Sequence, residues 1–183
     1  MKQYMNSIGK NARKASLEKI NTKVKNKVLN KYALLIDKEK NSILKANSED
    51  IKYAIKKKLK KNLIARLSLN QKKLNDIKKS IKKIVKLKDP IDNTLQKWNR
   101  PNGLRISRVS IPIGVIGIIY ESRPNVTSDV ASLCFKSGNV AILKGGSEAI
   151  NTNKILAKLF RKALKVNKVN ENFIQFINNK NRK

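Results

Sequence analysis

Apolar residues recur at three- and four-residue spacing through the first hundred positions, then give way to short runs and alternation. Val24, Val28, Tyr32, Leu35 and Ile36 fall on one face of a helix. Leu74, Ile77, Ile81, Ile84 and Val85 form a second such face with lysines opposite, capped at Ser68 or Asn70 and stopped by Asp89-Pro90. Between them, Ser42 to Leu59 reads as one or two short helices with a cap at Asn47 or Ser48. Near residue 100 the period shortens to two. Asn102-Gly103 separates Trp98 from Leu104, Ile106 and Val109, a hairpin signal in which both turn positions are expected at positive φ.

From Val115 the order is strand, helix, strand, helix, strand. Val115–Tyr120 is an apolar run suited to a buried parallel strand. Val126–Lys136 follows as a helix with Val130, Leu133 and Cys134 inward and Ser137-Gly138 as its stop. Asn139–Leu143, Asn151–Leu164 and Phe173–Ile177 complete a βαβαβ unit with right-handed crossovers expected. The expected class is α/β: a helical lead-in over 1–95, a hairpin arm for oligomerisation over 96–112, and part of a Rossmann-type parallel sheet over 113–183.

The chain has 183 residues and a formal charge of +31. Such a field attracts polyanions, so a basic nucleic-acid-binding or subunit-interaction protein is the alternative function. The distribution favours solvated helix faces instead. Of the 43 basic residues, 29 lie in the first 100 positions, and few are interleaved with aromatics that stack on bases. No specific nucleic-acid partner is expected. The longest apolar run, Ile111–Tyr120, is about half a membrane span, and Met1–Ser16 lacks an apolar signal core. No membrane association and a cytoplasmic location are the expectations. Histidine is absent, which removes a Ser-His-Asp triad or a His-bearing metal site from these residues, and no metal is expected.

The best candidate ligand loop is Lys144-Gly145-Gly146-Ser147-Glu148, at the carboxyl end of a parallel strand where open α/β sheets bind ligands. It is neither a G-x-G-x-x-G fingerprint nor a Walker A loop, because Lys144 precedes the glycines. Alone, it reads equally as a plain turn or as a phosphate or ribose site.

Larger strings are more specific. Ile113–Thr127, containing Tyr-Glu-Ser-Arg-Pro-Asn-Val-Thr, together with Asp129–Cys134, Lys136–Asn139 and Leu143–Gly146, resembles the gamma-glutamyl phosphate reductases, also called glutamate-5-semialdehyde dehydrogenases. Weaker likeness runs through Leu44–Ile51, Arg66–Leu69 and Asp89-Pro90, and Ile177–Arg182 resembles the family's Asp-Asn-Pro-Asp-Arg stretch with Asn and Lys in place of Asp and Pro.

The resemblance implies an aldehyde-dehydrogenase-like fold and a role in proline biosynthesis. The implied reaction takes L-glutamate 5-phosphate and NADPH to the semialdehyde, phosphate and NADP, through a thioester on a cysteine. It also implies that Lys144 bonds the adenosine ribose while Gly145, Gly146, Ser147 and Glu148 line that end of the cofactor. Ser122 or Asn125 would support the oxyanion, and Arg123 would bind a substrate carboxylate or phosphate. A homo-oligomer is implied for the full-length enzyme. Cys134 is the only cysteine and sits inside a helix with no His, Lys or helix amino terminus to activate it, so a structural role is expected. On this reading the chain is an amino-terminal portion without the catalytic domain and its nucleophile, inactive by itself.

Overall fold

Residues 2–179 are described by a computed structural model, and five helices precede the first strand. They are α1 (Lys2–Ser16), α2 (Thr22–Lys38), α3 (Lys40–Lys56), α4 (Lys61–Leu67) and α5 (Gln71–Lys86). The apolar faces read from the sequence become the packed faces. Val28, Tyr32, Leu35 and Ile36 of α2 and Leu74, Ile77, Ile81 and Ile84 of α5 are buried. Asn70, not Ser68, caps α5, accepting from the Lys73 amide at 2.8 Å. Neither Asn47 nor Ser48 is a cap, because α3 runs straight through both as one helix. Asn47 is buried there for another reason. Its amide donates to the Leu67 carbonyl (2.9 Å) and to Thr152 Oγ1 (3.2 Å), and its oxygen accepts from the Leu69 amide (2.8 Å).

Strands β1 (Thr94–Asn99) and β2 (Arg105–Val109) form an antiparallel hairpin whose β1 side chains are all exposed. Its turn differs from the expectation, since only Gly103 has positive φ. Pro101 and Asn102 occupy a turn closed by the Gly103 amide on the Arg100 carbonyl (2.9 Å), and Arg100 pairs with Leu104. Pro101 favours an ordinary type I turn followed by a left-handed glycine. The hairpin root is tied to α2 through Asp89. This carboxylate accepts from Lys25 Nζ (2.9 and 3.1 Å), Thr22 Oγ1 (2.8 Å) and the Ile91 amide (3.1 Å).

The second sheet is parallel, in the order β3 (Val115–Ile119), β4 (Val140–Lys144), β5 (Ile174–Phe176), with α6 (Pro124–Lys136) and α7 (Ile150–Val166) as crossovers. Helix α6 ends in a Schellman motif: the Asn139 amide bonds the Cys134 carbonyl (2.8 Å) and the Gly138 amide that of Phe135 (3.1 Å). Its inward face is Thr127, Ser128, Ala131, Ser132 and Phe135, with Val130 and Cys134 half-buried. Leu133, expected inside, is exposed. Strand β3 also departs from the expectation. It is an edge strand, paired only with β4, and Ile119 is 87% exposed.

One cluster of apolar side chains links α1, α2, α5, α6, α7 and the sheet. At its centre Tyr32 packs on Phe160 (centroids 4.5 Å), and Phe135 meets Phe160 and Phe173 edge-on. The Tyr32 hydroxyl is shared with Ser128 Oγ at 2.7 Å, which gives this buried phenol its polar partner. Among the described residues, no helix is long and apolar enough to cross a membrane.

Candidate functional site

The parallel sheet delivers two strand-to-helix turns to the same end. Register places Ile119 beside Lys144, and the Tyr120 amide extends the pairing by bonding the Lys144 carbonyl at 3.1 Å. The turn at residues 120–123 therefore lies against the loop Lys144–Glu148, so the two groups of residues expected to serve cofactor and substrate are neighbours. Glu148 joins them. Its carboxylate accepts from Ser122 Oγ, which is buried, and at 3.3 Å from Ser147 Oγ.

The loop after β4 is shaped by what lies beneath it. A β-carbon on Gly145 would strike Asn153 Nδ2 and stand 3.1 Å from the Tyr120 ring, and one on Gly146 would strike the Glu148 carboxylate. Gly145 has no room for a side chain, while at Gly146 the half-buried Glu148 carboxylate would have to swing aside, so both glycines leave the backbone bare. A polar chain supports it: the Tyr120 hydroxyl meets Thr127 Oγ1 (2.7 Å), which donates to Asn153 Oδ1 (2.9 Å). Asn153 Nδ2 is buried beneath Gly145 without a hydrogen-bond partner. Burial pushes the Tyr120 phenol up to about 12, with the Thr127 bond opposing, so this tyrosine is neutral at physiological pH. These three residues were missed by the sequence reading. Tyr120 and Thr127 bracket the most specific string, which was the available signal; Asn153 had none.

The other candidates are placed as follows. The Lys144 ammonium donates to the Asn179 carbonyl, leaving hydrogens for a ligand. Arg123 precedes the first turn of α6 and is exposed; its backbone bonds Glu121 and Val126, while its side chain makes no hydrogen bond or ion pair among the described residues. Asn125, in that first turn, reaches Asp129 Oδ2 only at 3.4 Å. Cys134 is half-buried at the far end of α6, and desolvation raises its thiol above the ordinary range. Of the expected residues that resemble a family stretch at 177–182, Lys180 to Arg182 lie outside the described residues.

Helix α7 begins without a side-chain cap of its own. The cap comes from α3, where buried Asp50 accepts from the amides of Asn151 (3.1 Å) and Thr152 (2.8 Å) and from their side chains (2.9 and 2.7 Å). A carboxylate at a helix amino terminus satisfies orphan donors and complements the dipole. It fixes the start of α7, and with it the loop before it. Among the described residues no group of His, Cys, Asp and Glu is arranged to hold a metal.

No protein-family model matches the chain. Curated relatives do. It is 41% identical to a gamma-glutamyl phosphate reductase of Persephonella marina over its whole length, and 45% identical to that of Halothermothrix orenii over 94% of it. The chain spans about two fifths of the length of these relatives, 41% and 42% respectively. The crystal structure of the Thermotoga maritima gamma-glutamyl phosphate reductase superposes with a TM-score of 0.93 at 42% identity, over 96% of this chain and 43% of that one. The Saccharomyces cerevisiae enzyme gives 0.89 at 32%, over 96% of this chain and 46% of that one. A probable aldehyde dehydrogenase of Listeria monocytogenes gives 0.67 at 13% identity, covering 96% of this chain and 36% of that one, a likeness of fold alone. The fold is α/β and aldehyde-dehydrogenase-like.

Proposed function

We propose, from the premise that this chain is homologous to the amino-terminal part of the gamma-glutamyl phosphate reductases, that it forms the cofactor-binding side of such an enzyme. The reaction is reduction of L-glutamate 5-phosphate by NADPH to L-glutamate 5-semialdehyde, with phosphate and NADP as the other products, in proline biosynthesis in the cytoplasm. The observation that carries the reading is the bare Gly145–Gly146 backbone beside the Lys144 ammonium, at the carboxyl end of the sheet. A loop with no β-carbons allows close approach of a nucleotide, and a cation there suits a ribose hydroxyl or a 2′-phosphate.

The bound nicotinamide supplies hydride. Lys144 holds the ribose, sharing its ammonium with the Asn179 carbonyl, while Gly145, Gly146, Ser147 and Glu148 line the adenosine end. Ser122 has committed its hydrogen to Glu148, so it couples the two turns. Asn125 keeps a weakly engaged amide and is the better oxyanion donor. Arg123, unengaged and exposed, takes the phosphate of the substrate. Cys134 is not the nucleophile: desolvation raises its thiol above the ordinary range, and no neighbouring charge acts to lower it. With Cys134 set aside, none of these 183 residues offers the acyl-transfer thiolate, so this chain by itself turns over no acyl phosphate. Single-turnover release of semialdehyde would refute that statement. In the assembled enzyme the hairpin is the oligomerisation arm.

The test is a titration with NADPH at several salt concentrations, beside one with duplex DNA. Saturable NADPH binding that survives moderate salt, weakened about tenfold by Lys144→Ala, is expected, as a charged hydrogen bond is lost. The +31 charge favours the polyanion alternative, which predicts that NADPH and DNA binding collapse together as salt rises.

A further inference from the structure

A cavity of about 380 Å³ lies beside the Ser122–Asn125 turn, between the end of α4, the outer face of α5 and the first turns of α6. Its charges are of both signs. Arg66 and Asp76 line it, both exposed and both with side chains that make no hydrogen bond or ion pair among the described residues. Asp129 is held in place by Ser80 Oγ (2.9 Å) and by Asn125 at 3.4 Å. Lys73 is committed elsewhere, to the carbonyls of Ala65 (3.1 Å) and Ser68 (2.5 Å). The floor is apolar, from buried Leu69 and Ile77.

This composition stands out against the chain. With 12 acidic residues against 43 basic ones, a surface cavity taken at random is cationic. Two carboxylates beside a free guanidinium repel a simple polyanion and complement a ligand that carries both signs. Buried apolar side chains beneath them accommodate methylenes. Asn125 belongs both to this wall and to the turn assigned to the acyl group, so a short chain extends from one to the other.

We propose that this cavity binds the α-ammonium and α-carboxylate head of an amino-acid substrate. Arg66 takes the carboxylate, Asp129 and Asp76 take the ammonium, and Leu69 and Ile77 pack against the methylenes that lead to Asn125. The inference rests on the reading of the chain as part of a glutamyl phosphate reductase, whose substrate has this head.

Saturation-transfer difference NMR on the 183-residue chain, which tolerates self-association, tests it with L-glutamate as the ligand observed. L-Glutamate should bind saturably, while glutarate (no amino group) and 4-aminobutyrate (no α-carboxylate) bind at least about tenfold more weakly, the loss expected for one charged hydrogen bond. Arg66→Gln and Asp129→Asn should each weaken L-glutamate by about the same factor and leave the NADPH signal of the same sample unchanged. That NADPH signal also reports that each variant is folded. NADPH binding without L-glutamate binding overturns the cavity assignment alone; so does equal binding of glutarate, or displacement of L-glutamate by inorganic phosphate. Loss of both signals in the unmodified chain overturns the functional reading as well.

Discussion

Gly145 sits where a main chain, an aromatic ring and a buried amide converge, and its missing β-carbon is what allows them to. Tyr120 and Asn153 already occupy the space a methyl group needs. Gly145→Ala must therefore displace either the loop or the Tyr120–Thr127–Asn153 chain. A stability loss of about 2 kcal/mol is expected from overpacking, and NADPH binding should fall more than it does for a surface substitution of similar size. Calorimetric unfolding and NADPH titration of the same variant check both; an unaltered affinity would detach this loop from the cofactor. Cys134 supplies the opposite kind of residue-scale test, since desolvation raises its thiol and it lies away from the loop. Its alkylation at neutral pH should be slower than that of a free cysteine, and should accelerate only as pH rises beyond the ordinary thiol range. Cys134→Ala should leave NADPH affinity unchanged.

Helices in this chain are placed by polar groups that reach across the fold as much as by their apolar faces. Asp50→Ala would strip two backbone donors and two side chains at the start of α7 of their acceptor. A cost of about 3 kcal/mol follows, or roughly 8 °C in Tm for a chain of this size, and the loop before α7 should loosen with it. Thermal unfolding measures the first, and weakened NADPH binding the second. The hairpin root carries a pH dependence. Burial alone raises the Asp89 pKa, but hydrogen bonds from Lys25, Thr22 and the Ile91 amide outweigh it and hold the carboxyl below its ordinary value. A depressed carboxylate contributes its stability in full above the unfolded pKa of about 3.9 and loses it as pH falls through the lower native value. Acid unfolding of the wild type should steepen in that window, and Asp89→Asn should flatten it. The apolar faces of α2 and α5 were legible in the sequence because burial on one side of a helix imposes a period. Asn47 and Asp50 were misread or passed over because their partners lie 20 to 105 positions away. Local rules see a capping residue in Asn47, and only the fold shows it as a clamp. Strand β3 was legible as apolar and parallel, but its composition does not say whether anything covers its outer edge.

The whole molecule combines a large positive charge with apolar surface that nothing among the described residues covers. Ile111, Ile113 and Ile119 are exposed around β3, and Leu95, Trp98, Leu104 and Val109 are exposed on and around the hairpin. A two-stranded ribbon without a layer beneath it is marginal in water, and an unpaired strand edge invites pairing. Both features drive copies together, while the +31 charge drives them apart. Salt decides between them, because screening weakens long-range repulsion and leaves apolar contact intact. Self-association should therefore increase with ionic strength, the reverse of what a nucleic-acid complex does. Sedimentation velocity at low and moderate salt measures it directly. Trp98→Lys, which adds charge to the exposed hairpin face, should shift the distribution back toward monomer at moderate salt without altering NADPH affinity, since the hairpin is remote in sequence from the Lys144–Glu148 loop and shares no strand with it. A monomer at every salt concentration would mean that the hairpin and the β3 edge are quiescent in this chain, and that the oligomerisation assigned to the arm needs surface from elsewhere in the enzyme.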